Sequence, residues 1–488
     1  MGENIQQWDP SRDLFYGSRT TEYTTAADNH RNLNNGGSYH KYLPFFLALN
    51  LTQPYIYNIQ NNNHNLISSG ETHTLFPHHY PIEPSYPHPL EQTGAFKTWY
   101  RWKQIDFLFP SEQEKYDAIS SGKFIQENVL PLGVETYKDR IFVTCPKWKT
   151  GIPYTLAVLP KIPQEESPLL VPYPSWNFHR TGSCTGLTSA FRMIADVCGR
   201  LWVLDSGLIE ISTKPIQVCP PTIFIFDLNT DYLIHRYELP EEFIKQDSLY
   251  SNLIVDIRRK QCDDAYAYIT DVWRFGLVVF SLKNNKSWRV TDHLFFPDPL
   301  AAAFNIHGID FEWTDGIFSL ALSPENPNSD DRILFFHPMS SFREFYVPTS
   351  VIRNETGWMT AKESFKILGQ SRGINGHASG AGMDRKGVLF YNLISKDGVA
   401  CWDSHKPYTR SNLGILVHNS ETMFFPNDMR MDREEDTSVW ILTNRLPAYL
   451  YRSLNKHDYN FRIISAYVDE AIEGTVCDPE INHSEVLY

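Results

Sequence analysis

Between Leu132 and Leu446 the chain repeats one pattern six times: a half-apolar run, a turn rich in Asp or Gly, then a strongly apolar run. The strongly apolar runs are RIFVTCPKW (140–148), RLWVLDSGL (200–208), AYAYITDVW (265–273), GIFSLALSP (316–324), GVLFYNLIS (387–395) and SVWILTNRL (438–446). The turns before them are KDR at Lys138, DVCG at Asp196, RKQCDD at Arg259, TDG at Thr314, DRKG at Asp384 and DREEDT at Asp432. A spacing of roughly 50–70 residues suits one four-stranded blade with long loops. The runs are short, β-branched and aromatic, and bounded by turn residues, so they read as strands. A repeat that cannot bury its own faces stacks on its neighbours, and six such sheets close around an axis. The expectation is an all-β protein, a six-bladed β-propeller.

Further strands are expected at TLAVLPKI, TIFIFDLNTD, GLVVFSL, RILFFHP and AYLYRSL, with hairpin turns at Asn229-Thr230-Asp231 and at Asn284-Asn285. Residues 1–93 are rich in Asn, His, Ser and Pro and are read as a disordered polar extension, leaving 94–488 as the propeller. Order is expected to begin near Ala95, with a strand from Arg101 to Phe109 and a short helix capped by Ser111 with Glu114. A strand that precedes the first repeat completes the last blade and locks the ring. His73, His78, His79 and His88 read as a polar tail, and no metal or cofactor is expected.

The net charge of −13 offers no basic stretch to neutralise phosphates, which excludes nucleic acid as a partner. No stretch approaches the roughly 20 apolar residues of a membrane span. The seven cysteines contain no CxxC pair, so zinc and thioredoxin chemistry are excluded. In a secreted protein they make up to three disulfides, one of them Cys401 to Cys477, and leave Cys145, inside an apolar strand, as the free thiol. Sequons at Asn50, Asn285, Asn354 and Asn482 are no more than chance provides. MGENIQQWDP has neither the basic start nor the apolar core of a signal peptide.

Aligned, the repeats bring polar groups to one end of the axis. The starts of first strands offer Asn252, His307, Ser379 and Asn427. The ends of second strands offer Cys145, Asp205, Asp271, Ala321, Asn392 and Thr443, with Asn444 next, hedged by Trp148, Trp273 and Phe425. A concave pocket with convergent polar groups is a ligand site. Asp205 and Asp271 suit a protonated amine and the aromatics its ring; the alternative is that such Asp and Asn residues cap turns or hold water. His307 and His377 are the candidate proton-transfer groups. No GxSxG, phosphate loop or HExxH is present.

CGRLWVLDSG (198–207), CPPTIFIFDLNTD (219–231), DAYAYITD (264–271), DGIFSLALSP (315–324), GVLFYNL (387–393), ACWD (400–403), FPNDMRMD (425–432) and TNRLP (443–447) resemble the Yellow / major royal jelly protein family of insects. The resemblance covers about 95–480 in the family's order. It implies a six-bladed propeller, secretion, and a role in cuticle pigmentation, with some members converting dopachrome to dihydroxyindoles. It also implies the alternatives of a non-catalytic channel that binds small aromatic amines or catechols, or of a structural or signalling extracellular protein. Carried over by motif, the amine pocket draws on Asn427, Thr443 and Asn444. In the tautomerase reading His307 is the base and Asp271 or Asp205 its partner; Asn252, Asn392, Trp273 and Phe425 complete the ligand set. The polar N-terminal extension, Cys145 and the unseen signal peptide depart from the family pattern.

Overall fold

The computed structural model describes residues 88–479 apart from 180–183 and 246. Six antiparallel sheets stand around one axis, and each inner strand touches the inner strand of the next blade until the sixth meets the first. The inner strands are Gly133–Tyr137, Ala190–Ala195, Tyr250–Asp256, Ile317–Leu322, Ala378–Met383 and Pro426–Met431. The six-bladed β-propeller expected from the repeats is the fold.

The last blade is closed by the chain's own beginning. Phe96–Trp102 pairs antiparallel with Phe461–Tyr467, and Glu91–Thr93 adds a fifth strand outside it. The closing strand lies earlier than Arg101–Phe109. FKTWYRW alternates buried and half-buried along its length, whereas the following segment makes a lone bridge at Phe107. Strict alternation suits a strand that buries one face, so the tighter alternation marks it. Glu91–Thr93 falls within the segment read as polar extension; the rest of 1–87, with His73, His78, His79 and Asn50, lies outside the described residues, as does Asn482. Ser111 caps the helix Glu112–Ser120 by accepting from the Glu114 backbone N–H at 3.2 Å.

Two strand assignments are corrected. Ile317–Leu322 is the inner strand of blade 4 and Ile333–Pro338 its second strand, so Ala321 does not end a second strand. The half-apolar run before it is a separate hairpin, Ala303–Ile306 with Ile309–Glu312, in the connection from blade 3. His307 sits in that hairpin's turn, with φ of 50°, rather than at the start of a blade. AYLYRSL falls mainly on the helix Leu446–Tyr451, where Pro447 occupies the first turn and needs no N–H partner; the third strand of blade 6 is Phe461–Tyr467.

The hairpins at 229–231 and 284–285 turn where expected, with Asp231 and Asn285 in the left-handed region at φ of 59° and 47°. Three disulfides form, Cys184–Cys219, Cys198–Cys262 and Cys401–Cys477, and Cys145 is buried and free. Cys198–Cys262 joins blade 2 to blade 3. Cys401 lies on the third strand of blade 5, so its bond ties that blade to the tail. Among the described residues no helix is long and apolar enough to cross a membrane.

Candidate functional site along the propeller axis

Inner strands run from an upper face, carrying the long loops, to a lower face of tight turns. Each inner strand is the edge of its sheet, so half of its backbone groups face the axis unpaired. Side chains on the axis satisfy them. Asp428 accepts from the Val134 and Met429 N–H groups at 3.0 and 2.9 Å, and Glu135 from Thr136 and Ala195 at 2.7 and 3.0 Å. Two arginines then span the axis in opposite directions. Arg192 reaches from blade 2 to Asp428 and to Asn427 Oδ1 (2.8 Å) on blade 6. Arg430 reaches back to the Met193 carbonyl and to Asn252 Oδ1, each at 3.2 Å. All four charged residues are buried. A buried ion pair costs desolvation that extra hydrogen bonds help to offset; here they come from Arg192 Nη2 to Asn427 and from the backbone N–H groups on both carboxylates. The network separates an upper mouth from a lower funnel.

The second-strand ends do share the upper face, but their polar groups are committed to the protein. Asp205 accepts from the backbone N–H groups of Thr188, Ser189 and Gly207 at 2.5, 2.9 and 2.8 Å. Asp271 does the same in blade 3, taking Leu249 N–H at 3.0 Å, the Ser248 hydroxyl at 2.8 Å and Arg289 at 2.9 Å. Both carboxylates fasten an incoming loop to the blade that follows it. Asn444 donates to the Pro131 carbonyl and accepts from Leu446; Asn252 donates to the Phe318 carbonyl; Ser379 donates to Pro426. Thr443 and Phe425 are buried beside them, with Trp148 and the Cys145 thiol, which burial pushes far up. Asn392 is the exception: it is fully buried and neither amide atom has a partner. Trp273 donates to Asp315, whose carboxyl burial pushes up to about 6 despite that bond.

His307 is the accessible member of the set. Its Nε2 lies 2.8 Å from Asp397 Oδ2 and its ring stacks on Phe424 at 3.9 Å. Arg445 covers the same Phe424 ring at 4.8 Å. The carboxylate that meets His307 is therefore Asp397, on a turn of blade 5, and neither Asp205 nor Asp271, both of which are engaged elsewhere. His377 instead packs against Phe304 at 3.9 Å, bonds Ser395 Oγ (2.8 Å) and the Ala301 carbonyl (3.0 Å), and is pushed down to about 4 by burial. It is neutral and structural at physiological pH.

The profile of the major royal jelly protein family matches residues 188–477. The chain belongs to this family, which includes the Yellow proteins. It is 41% identical over 437 residues to a Drosophila melanogaster dopaminechrome tautomerase, covering 87% of this chain and 94% of that protein. It is 42% identical over 383 residues to Drosophila melanogaster protein yellow, covering 78% of this chain and 70% of that one. Among solved structures, a luciferin-regenerating enzyme overlaps 70% of this chain and 92% of its own at 10% identity and a TM-score of 0.41, too distant to bear on chemistry.

In this member of the family, the axial charges Glu135, Arg192, Asp428 and Arg430 and the partner Asp397 were missed from sequence. A signal existed for the first group: DMRMD places Asp428, Arg430 and Asp432 at every second position of a strand, hence on one face. Asp397 gave none, because its meeting with His307 is made across 90 residues.

Proposed function

We propose that this protein isomerises an aminochrome, the bicyclic iminoquinone formed when an oxidised catecholamine cyclises, to the matching dihydroxyindole in insect pigment formation outside the cell. The observation that carries this reading is the 41% identity to a dopaminechrome tautomerase along 94% of that relative. Substrate and product contain the same atoms: two neighbouring carbons of the five-membered ring each lose a proton, the two quinone oxygens each gain one, and no electrons are exchanged with another molecule. Such a step needs a base placed against the ring and a donor for the oxygen. His307 is the base, held in orientation by Asp397 and backed by the buried Phe424 ring, and Trp313 and Tyr451, joined to each other by a hydrogen bond, offer aromatic surface to the bicycle. An oriented imidazole of this kind is worth about 10²–10⁴ in rate. Action outside the cell agrees with three disulfides in a chain that keeps only one free thiol.

The test is conversion of dopaminechrome and dopachrome by purified protein. The wild type should accelerate at least one over the blank. His307→Ala should lower kcat/KM about a hundredfold, and Asp397→Asn about tenfold, with unchanged melting temperatures. No acceleration of either substrate removes the reading, and full activity in His307→Ala removes the base.

A further inference from the structure

The lower funnel takes no part in that reaction. It has a volume of about 760 Å³, several times that of a bicyclic aromatic molecule, and opens between the turns of the lower face. Its apolar walls come from Ile194, Ile254, Leu320, Leu322, Met383 and Met431; thioethers among them let the wall adapt to a ring.

The charged groups of the funnel divide by whether their hydrogen bonds are already committed. The buried carboxylates are occupied, while the exposed Glu325 at the rim accepts from the Arg259 N–H. Asp196 accepts from Cys198 and Arg200 N–H groups, the Arg200 guanidinium and the Trp202 indole. Asp432 accepts from Ser438 and Trp440, and Asp384 from Lys386 and Val388. Glu135 at the apex holds Thr136 and Ala195, and burial pushes it up to about 7, which weakens its repulsion of an anion.

The guanidiniums are not saturated. Each has five N–H donors in a fork. Arg433 uses Nε and Nη2 on the single carbonyl of Ala195. Arg385 uses Nη2 alone, on the Arg433 and Glu434 carbonyls at 2.7 Å each. Arg332 uses Nε on the Ser323 carbonyl at 2.7 Å and Nη1 towards Asp256 at 3.4 Å. All three cations line the same funnel: burial pushes Arg433 below its usual range, Glu135 and Asp196 oppose that shift, and Arg332 and Arg385 add to it. Arg433 is nonetheless accessible, and it lines the funnel. Like charges held together around an open space, with donors to spare, make a site for a negative group.

We propose that the lower funnel binds a small aromatic carboxylate, its acid group gripped by Arg433 and Arg385 with Arg332 alongside, and its ring laid between Leu320, Leu322 and Met383. A fork of two N–H donors matches a carboxylate, and a planar guanidinium also stacks on an aromatic face. The site is separated from the upper mouth by the Arg192–Asp428 and Arg430 network, so the two are occupied independently.

Calorimetry with indole-2-carboxylate as the probe tests this on the full chain. One equivalent should bind to the wild type and to His307→Ala with the same affinity. Arg433→Gln should weaken it at least tenfold. Leu322→Glu, which leaves all three guanidiniums in place and adds a carboxylate to the wall, should do the same, with folding of both variants verified by thermal melting. Indole, which lacks the charge, and inorganic phosphate, which lacks the ring, should each bind at least tenfold more weakly than the probe. Absence of heat with the probe overturns the proposal. So does loss of binding in His307→Ala, equal affinity for phosphate, or undiminished affinity in both funnel variants.

Discussion

At the scale of single residues, the protein keeps ionisable groups inside by giving each a fixed partner, and the cost appears as pH dependence. His377 is buried and pushed down to about 4, and His179, bonded to the Tyr173 carbonyl at 2.8 Å, to about 3. A histidine depressed in the folded state binds a proton more readily when unfolded, where it titrates near 6.5. Its contribution is therefore complete above about pH 6.5 and is lost as pH falls towards the folded value. For His377 the shift corresponds to about 3 kcal/mol between pH 6.5 and 4. Urea unfolding measured across that range should show a shallower acid loss in His377→Asn than in the wild type, by close to one proton. Parallel curves would mean that His377 is not neutral in the fold. The same scale explains the upper face. Asp205, Asp271 and Asn444 were legible in the sequence as polar groups at strand ends, and they do gather at one end of the axis. Their hydrogen bonds to backbone N–H and C=O groups were not legible, because the partners are set by loops that have no periodicity.

Among elements, the blades share a device at their lower turns. In blades 2, 5 and 6 an Asp at the end of the inner strand accepts from the turn's N–H groups, and in blades 2, 3 and 6 such an Asp accepts from an aromatic side chain on the second strand. Asp196 meets the Trp202 indole at 2.7 Å, Asp432 the Trp440 indole at 3.1 Å, and Asp256 the Tyr268 hydroxyl at 2.9 Å. Asp384 holds its turn by Lys386 and Val388 alone. Asp384 and Asp432 are similarly buried, and Asp432 differs by its indole bond and by the Lys161 ammonium at 3.3 Å. Alanine at either removes a turn lock, but alanine at 432 also leaves a buried indole N–H without an acceptor. Asp432→Ala should cost about 1–2 kcal/mol more than Asp384→Ala in the denaturant midpoint. Equal costs would show that the indole bond and the Lys161 ion pair together contribute nothing. These Asp-led turns are also what made the repeat visible in sequence. The reading slipped where the pattern was imitated: in blade 4 a hairpin stood in front of the inner strand and was taken for it, and in blade 6 apolar AYLYRSL was short enough to suit either period. Short apolar runs do not separate helix from strand, and Pro447 in the first turn decides it.

For the whole molecule, the decisive event is closure. Phe96–Trp102 joins blade 6 by pairing with Phe461–Tyr467, and Trp99 donates to Ser465 at 2.7 Å across 366 residues. Cys198–Cys262 and Cys401–Cys477 add cross-links spanning 64 and 76 residues, each worth about 4 kcal/mol in the chain-entropy account. A chain beginning at Lys103 lacks the closing strand and exposes the edge of Phe461–Tyr467. It should melt at a lower temperature and aggregate, and a separate peptide of residues 88–102 should restore the melting temperature. Normal melting without the peptide would mean that the ring closes by other contacts. The sequence by itself determined the blade number, the strand-and-turn grammar, the closing role of the first ordered segment, the family and the free Cys145, because each depends on local period or on spacing along the chain. Tertiary structure alone decided that Arg192 and Arg430 span the axis, that Asp397 meets His307, and that an open funnel faces the lower turns. Those outcomes depend on side chains from different blades competing for the same few ångströms around an axis, and nothing along the chain records which of them win.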